Sequence, residues 1–257
     1  MPLTLMQRDL EVPDVEKLAR AFRVLPELTS LDAQTAANDA YGILWRGLDP
    51  DKAGRLQTAL REQGVETEVV DEADLPALSP GRIVRRIELL DGLLNVHDPM
   101  GRVTPLALNQ VLLIAAGNVR VREHKKVKST LEESASHAAG GTYDLLSEGR
   151  TRETEVEYLM LELFLVGGPM RFSFAMDEFA FDYLGARLSD DRAINFMFLI
   201  QDLERNAPHA SLNRGAFFAC QKPPYLFSYP SKQTFNEELI WMLWRIEQLS
   251  REQGAEI

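Results

Sequence analysis

Hydrophobic and polar residues alternate through Tyr158–Val166, so that Leu159, Leu161, Leu163 and Leu165 share one face of an extended strand. Such a face requires a core to cover it. Past Gly167-Gly168-Pro169, a turn composition, Phe172, Phe174 and Met176 alternate with Arg171, Ser173 and Ala175 and predict a second strand. Asp177-Glu178 is read as the reversal into a third, carrying Phe179, Phe181 and Tyr183. The period then changes. Ala193, Phe196, Met197, Ile200, Leu203 and Ala207 fall at helical spacing, with Ser189 or Asp190 as the expected cap and Pro208 at the end. Three adjacent antiparallel strands closed by an amphipathic helix are the expected centre of the chain.

Upstream, Leu3–Met6 reads as a short strand, and Val15, Leu18, Phe22 and Leu25 as a helical stripe behind Asp14. Ala33, Ala36, Ala37 and Ala40 suggest a second, small-faced helix. Tyr41–Trp45 reads as a strand, Asp49-Pro50 opens a helix with Ala53, Leu56, Ala59 and Leu60, and Val65, Thr67 and Val69 alternate in the next strand beyond Gly64. Over Tyr41–Asp71 this strand, helix, strand order resembles a ferredoxin-like sandwich, which residues 1–75 are expected to form. The resemblance is one of architecture and implies no reaction. The Cys-x-x-Cys pair of a metal carrier is absent. Gly42 and Gly47 are followed by Leu48-Asp49 in place of the Lys and hydroxyl residue of a phosphate-binding loop.

Glu72–Gly81, with Pro76, Ser79 and Pro80, marks a boundary. Beyond it Ile83, Ile87 and Leu89 are placed on one side of an extended segment. Asp91-Gly92 and Asp98-Pro99-Met100-Gly101 are turns, Leu94 and Val96 lie between them, and Val103–Leu108 and Val111–Val121 are further strands. With the three after Tyr158, about seven strands precede a helix, an order that resembles the pleckstrin-homology-like barrel over Arg82–Ala207. The short, acidic Asp91-Gly92 connection departs from the basic first loop of that family's lipid-binding members, so phosphoinositide binding is not expected. An open α+β sheet is the alternative. A polar insertion near residues 122–152 is expected to be mobile. Phe217–Ala219 and Tyr225–Tyr229 are read as short strands. A final helix carries Phe235, Leu239, Met242, Leu243, Ile246 and Leu249 on one stripe, widened by Trp241 and Trp244. The expectation is an α+β protein with a module at residues 1–75 and a larger one at 81–257.

Composition narrows the function classes. With 257 residues and 45% hydrophobic content the chain supplies a real core, and a formal net charge of −11 disfavours nucleic acid and anionic lipid as partners. One cysteine, Cys220, cannot form an internal disulfide; with no leader pattern read at the amino end, the cytoplasm is the expected compartment. No apolar run approaches the roughly 20 residues needed to span a bilayer, and peripheral membrane contact is not expected.

Candidate chemistry is sparse. Arg120, Arg122, Lys125, Lys126 and Lys128 could hold an acidic partner, although Glu132-Glu133 soon reverses the sign and no aromatic residue is interleaved. His97, His124, His137 and His209 lack the short spacing of a zinc motif. His97-Asp98 sets an imidazole beside a carboxylate, but Asp98 precedes Pro99 and is read as starting a turn. Ser211–Gly215 with His209 and Cys220 could build a polar pocket; a turn at Asn213-Arg214-Gly215 is the simpler reading. The helix bearing Trp241 and Trp244 has apolar residues on more than one side, suited to packing within the chain or against a partner. No catalytic residue, metal ligand or cofactor is assigned. The expected function is non-catalytic recognition of a protein partner, self-association included; the alternative is an enzyme or small-ligand binder with a cavity between the modules.

Overall fold

Asp14 and Asp49 start the first and third helices as their positions predict. In the computed structural model the Asp14 carboxylate accepts from the amides of Glu16 and Lys17, and that of Asp49 from Lys52, with Pro50 in the first turn. The structure describes all residues except 39–40, 127–150, 168–169, 222–225 and 256–257, and no side chain at 122–126, 151–154 or 253–255. The amino-terminal unit runs β1 (Leu3–Gln7), α1 (Val15–Phe22), α2 (Ser30–Asn38), β2 (Ile43–Leu48), α3 (Pro50–Glu62) and β3 (Thr67–Asp71). Two helices separate β1 from β2, so the chain returns to the end where β1 stopped and β2 pairs antiparallel to it. A single helix separates β2 from β3. These two strands therefore run the same way and flank β1, in the order β2-β1-β3. Leu5, Leu44 and Leu48 bury one face against Leu18, Phe22, Leu56 and Leu60 of the helices.

The larger unit contains β4 (Arg82–Val84), β5 (Arg86–Leu90), β6 (Leu93–His97), β7 (Val103–Ala107), β8 (Val111–Lys126), β9 (Thr151–Leu165), β10 (Arg171–Phe174), α4 (Arg192–Asn206), β11 (Ser211–Leu212), α5 (Arg214–Gln221), β12 (Ser228–Tyr229) and α6 (Lys232–Ala255). The chain is thus α+β, but its strands do not form the expected continuous antiparallel meander. The main sheet has the order β11-β8-β9-β10-β4, with β12 also on β8, and β4, β11 and β12 all join it in parallel. β5, β6 and β7 form a separate antiparallel ladder. Arg82–Leu90 serves both sheets. Its alternation breaks at Arg85, leaving Val84 and Ile87 buried and Ile83 45% exposed, so Ile83 does not share the inner face with Ile87.

Three further local readings are corrected. Phe179–Tyr183 is not a third strand: Ala180 makes one bridge to Arg86, and short 3-10 turns take up Met176–Glu178 and Asp182–Arg187, while Phe179 and Phe181 are buried as expected. Helix α4 is capped by Asp191, not by Ser189 or Asp190, because the Asn195 side chain ties down the Ser189 backbone one turn earlier. Phe217–Ala219 is helical, within α5. As for the insertion, the β8–β9 ladder pairs residues out to Lys126 and Thr151, so 122–126 and 151–152 belong to strands; the rest lies outside the described residues.

Both faces of the main sheet are covered. Ile114, Leu161, Leu163, Phe172 and Phe174 pack against Phe196, Leu199, Ile200 and Leu203 of α4 and against Ile87, Leu94 and Leu106 of the small sheet. Leu113, Ala115, Val119 and Phe164 face the other way, onto Tyr229 and onto Phe235 and Leu239 of α6. The opposite side of α6 meets the amino-terminal sheet. Helix α6 is therefore the layer between the two sheets.

Candidate functional site

Helix α6 is positioned by a buried polar junction at the start of α5. The first amides of a helix have no partner within it. In α5 each finds one elsewhere: Arg214 N–H donates to Glu238 Oε1 at 2.9 Å, Gly215 N–H to the Tyr229 hydroxyl at 3.3 Å, and Ala216 N–H to Asn213 Oδ1 at 2.9 Å. The Asn213 side chain also bonds both backbone groups of Ala116, at 2.8 and 3.0 Å, continuing the edge of β8 as a further strand residue would. Gly215 must stay a glycine, because a Cβ there would lie 1.7 Å from the Ala116 carbonyl oxygen. Glu238 is fully buried, and that burial raises its pKa against the opposing influence of the Arg214 amide. The Arg214 guanidinium lies 5.0 Å from the Tyr41 ring centroid.

From this anchor α6 presents three apolar surfaces. Phe235 and Leu239 lie on the main sheet. Ile240, Trp241 and Trp244 lie on the amino-terminal sheet, where Trp244 is 5% exposed among Met6, Ile43 and Val70. Both tryptophans, candidates for partner binding, are thus placed between elements of the same chain. Trp241 approaches Gly42 so closely that a Cβ there would lie 2.2 Å from its ring. Arg245 reaches Glu68 at 3.2 Å beside them.

The third surface is open. Leu243 and Ile246 overhang the end of the β8–β9 pair and, with Leu112, Phe164 and Val166, line a groove of about 770 Å³. Pro76, Ala77 and Ser79 of the connection between the units form one wall, and Glu247, Ser250 and Arg251 the rim. That wall is held from below. Arg171 donates to Glu162 through Nε at 2.9 Å and Nη2 at 3.0 Å, Ser173 Oγ donates to the same carboxylate at 2.6 Å, and Arg171 Nη1 reaches the Ser79 carbonyl at 3.4 Å. Arg171 also stacks 5.7 Å from the Phe164 centroid, beneath the groove floor. Val166 is 59% exposed and Leu249, the next residue of the α6 stripe, 50% exposed.

The basic positions are distributed along the β8–β9 ribbon. Arg120 pairs with Glu157 across the ladder at 3.3 Å, and Glu157 is held below the usual carboxylate range by the Asn118 amide first and by Arg120 second. Arg122 stands opposite Glu155, Lys125 opposite Arg152 and Lys126 opposite Thr151 in the register; Lys128 lies outside the described residues. The register thus sets an acidic position across from both Arg120 and Arg122. Asp98 starts a turn as expected, accepting from the amides of Met100 and Arg102. The carboxylate beside His97 is instead Glu88, 3.3 Å away, a partner that only the β5–β6 pairing reveals. Burial pushes the Cys220 thiol up to about 11, which leaves little thiolate at neutral pH. Among the described residues no three His, Cys, Asp or Glu groups are placed to hold a metal ion, and no described helix is long and apolar enough to cross a membrane.

Sequence reasoning missed Glu238, Tyr229 and the Glu162–Arg171 pair. A signal existed for Glu238, which falls three residues after Phe235 and next to Leu239, inside the apolar stripe. Comparison with protein-family models, with curated proteins and with solved structures finds no match to this chain.

Proposed function

We propose that this chain is a non-catalytic recognition scaffold that takes an apolar segment of a protein partner into the groove beside α6. One observation carries the reading: α6 has three apolar surfaces, two are covered within the chain, and the third lines an open groove with Val166 exposed at its edge. Exposed aliphatic surface of this kind, rimmed by polar groups, marks interaction sites. The ionisable residues of the groove lining, Glu247 and Arg251, pair with each other at 3.8 Å across one turn of α6, a rim ion pair and not a proton-transfer set. The cytoplasm is the compartment proposed with this reading, on the strength of the single cysteine. The finer fold resemblances, ferredoxin-like for residues 1–75 and pleckstrin-homology-like for 81–257, carry no weight in it, because the reading rests on α6 and its groove.

The test is a photo-reactive side chain placed at Val166 in cells, with Met100, 75% exposed on a turn, as the control position. Covalent protein adducts of defined mass at Val166 and none at Met100 are expected. A Val166 position that yields no more adduct than Met100 would overturn the reading.

A further inference from the structure

We propose that Arg214 and Glu238 form a proton-controlled latch: while Glu238 is protonated the Arg214 guanidinium rests on the Tyr41 ring, and when Glu238 ionises the guanidinium leaves the ring and closes a hydrogen-bonded pair with it. Glu238 precedes the groove-lining residues of α6 by more than one turn, so the latch does not depend on what the groove holds.

Unpartnered donors face an unpartnered acceptor at this junction. Glu238 has no exposed surface, and its Oε2 has no hydrogen-bond partner among the described residues. Nε and Nη2 of Arg214, in a side chain 17% exposed, have none either. Arg214 Nε stands 3.9 Å from Glu238 Oε1. A hydrogen bond needs about 2.9 Å, so a shift of about 1 Å closes the pair. In the structure the guanidinium is instead held over two rings, 5.0 Å from the Tyr41 centroid and 6.0 Å from that of Phe227. Its neighbours are fixed. The Tyr229 hydroxyl accepts from Asn213 Nδ2 at 2.9 Å and from the Gly215 amide at 3.3 Å, and Asn213 is itself tied to Ala116. Arg214 is therefore the group able to move.

Protonation sets the choice. A neutral Glu238 offers Arg214 little, and the ring contact wins. Once its proton is lost to solvent, a fully buried carboxylate needs charged donors, and Arg214 has two to give. The groups that act on this titration are Arg214 of α5 and Tyr229 of β12; Glu237, the neighbour on α6, turns to Arg46 at 3.8 Å. The movement reaches the contact between α6 and the amino-terminal sheet. Tyr41 adjoins Gly42, whose carbonyl accepts from the Gln7 amide at 2.8 Å, whose own amide donates to Gln7 Oε1 at 3.2 Å, and against which the Trp241 ring is pressed.

The test is NMR of the full chain from pH 4.5 to about 9, the range that buried glutamates reach. The Arg214 Nε–H resonance, assigned by its loss in Arg214→Lys, should move downfield with the same midpoint as the Glu238 carboxyl carbon, and the Tyr41 ring resonances should move with both. In Glu238→Gln the Nε–H should keep its low-pH position throughout. Tyr41→Leu removes the competing ring, so the midpoint should fall by about one pH unit, a tenfold change in the equilibrium. An Nε–H that ignores the Glu238 titration, or that moves equally in Glu238→Gln, overturns the latch. So does a Glu238 carbon that never titrates, or a midpoint that stays or rises in Tyr41→Leu.

Discussion

The indole N–H of Trp241 donates to the backbone carbonyl of Gln7 at 2.7 Å, across 234 positions of sequence. This bond joins the last helix to the first strand, and Trp244, one turn on, fills the space between Met6, Ile43 and Val70. The attachment of the amino-terminal unit to the rest of the chain therefore depends on α6.

Trp244→Ala empties that space. A large aromatic truncated in a core costs about 3–5 kcal/mol, and urea unfolding should show a loss of this size. Trp241→Phe keeps most of the packing and loses one donor, so about 1 kcal/mol is expected. A Trp244→Ala protein within about 0.5 kcal/mol of wild type would mean that the contact is not formed.

Glu238 makes stability depend on pH in the direction opposite to a paired surface carboxylate. Its folded pKa is raised by burial, so the protonated form suits the folded state. The resulting stability is fully present below the ordinary value of 4.5 and is lost as pH rises through the higher folded pKa. Glu238→Gln keeps an acceptor for the Arg214 amide and cannot ionise. The gap in unfolding free energy, variant minus wild type, should grow from pH 4.5 toward neutral and above. A gap that is constant or shrinks over that range contradicts the assignment.

Arg171→Met leaves the Glu162 carboxylate buried without its partner and also releases the Ser79 carbonyl. Breaking a buried pair from one side costs about 3–5 kcal/mol. The double variant Arg171→Met, Glu162→Leu should regain most of that loss, which thermal unfolding of the three proteins can show. Equal destabilisation of the single and double variants would count against a buried charge as the cause.

Arg120→Ala removes an ion pair whose two side chains are each about half exposed. Such pairs contribute about 0–1 kcal/mol, and chemical unfolding should shift by no more than this. A larger loss would mean that the ribbon is packed against something else in solution.

Periodicity reveals which side chains are buried more readily than which strands pair. The stripe of α3, Leu18 and Phe22 of α1 and the leucines of β9 are legible because a core face repeats locally, whereas Val15 at the head of α1 and Leu249 at the end of the α6 stripe are exposed. Phe179 and Phe181 are buried as their alternation implies, yet their backbone meets Arg85 and Arg86 through one bridge, a partnership set by distant residues. The parallel joining of β4, β11 and β12 was hidden for the same reason. Phe217–Ala219 reads as a strand but is helical, because Asn213 caps the start of α5 while its side chain is held by Ala116, a partner 97 positions away. Of the candidate site, the tryptophans were visible but not their direction. The groove was invisible, since it depends on where α6 crosses the end of β8 and β9.

A partner on the open surface of α6 is tested most directly by the photo-crosslink at Val166 repeated with Ile246→Arg, which places a charge in the groove lining and leaves Phe235, Leu239, Trp241 and Trp244 in place. Loss of the adduct with unchanged thermal stability is the expected result. An adduct of full yield in the Ile246→Arg protein would contradict the account.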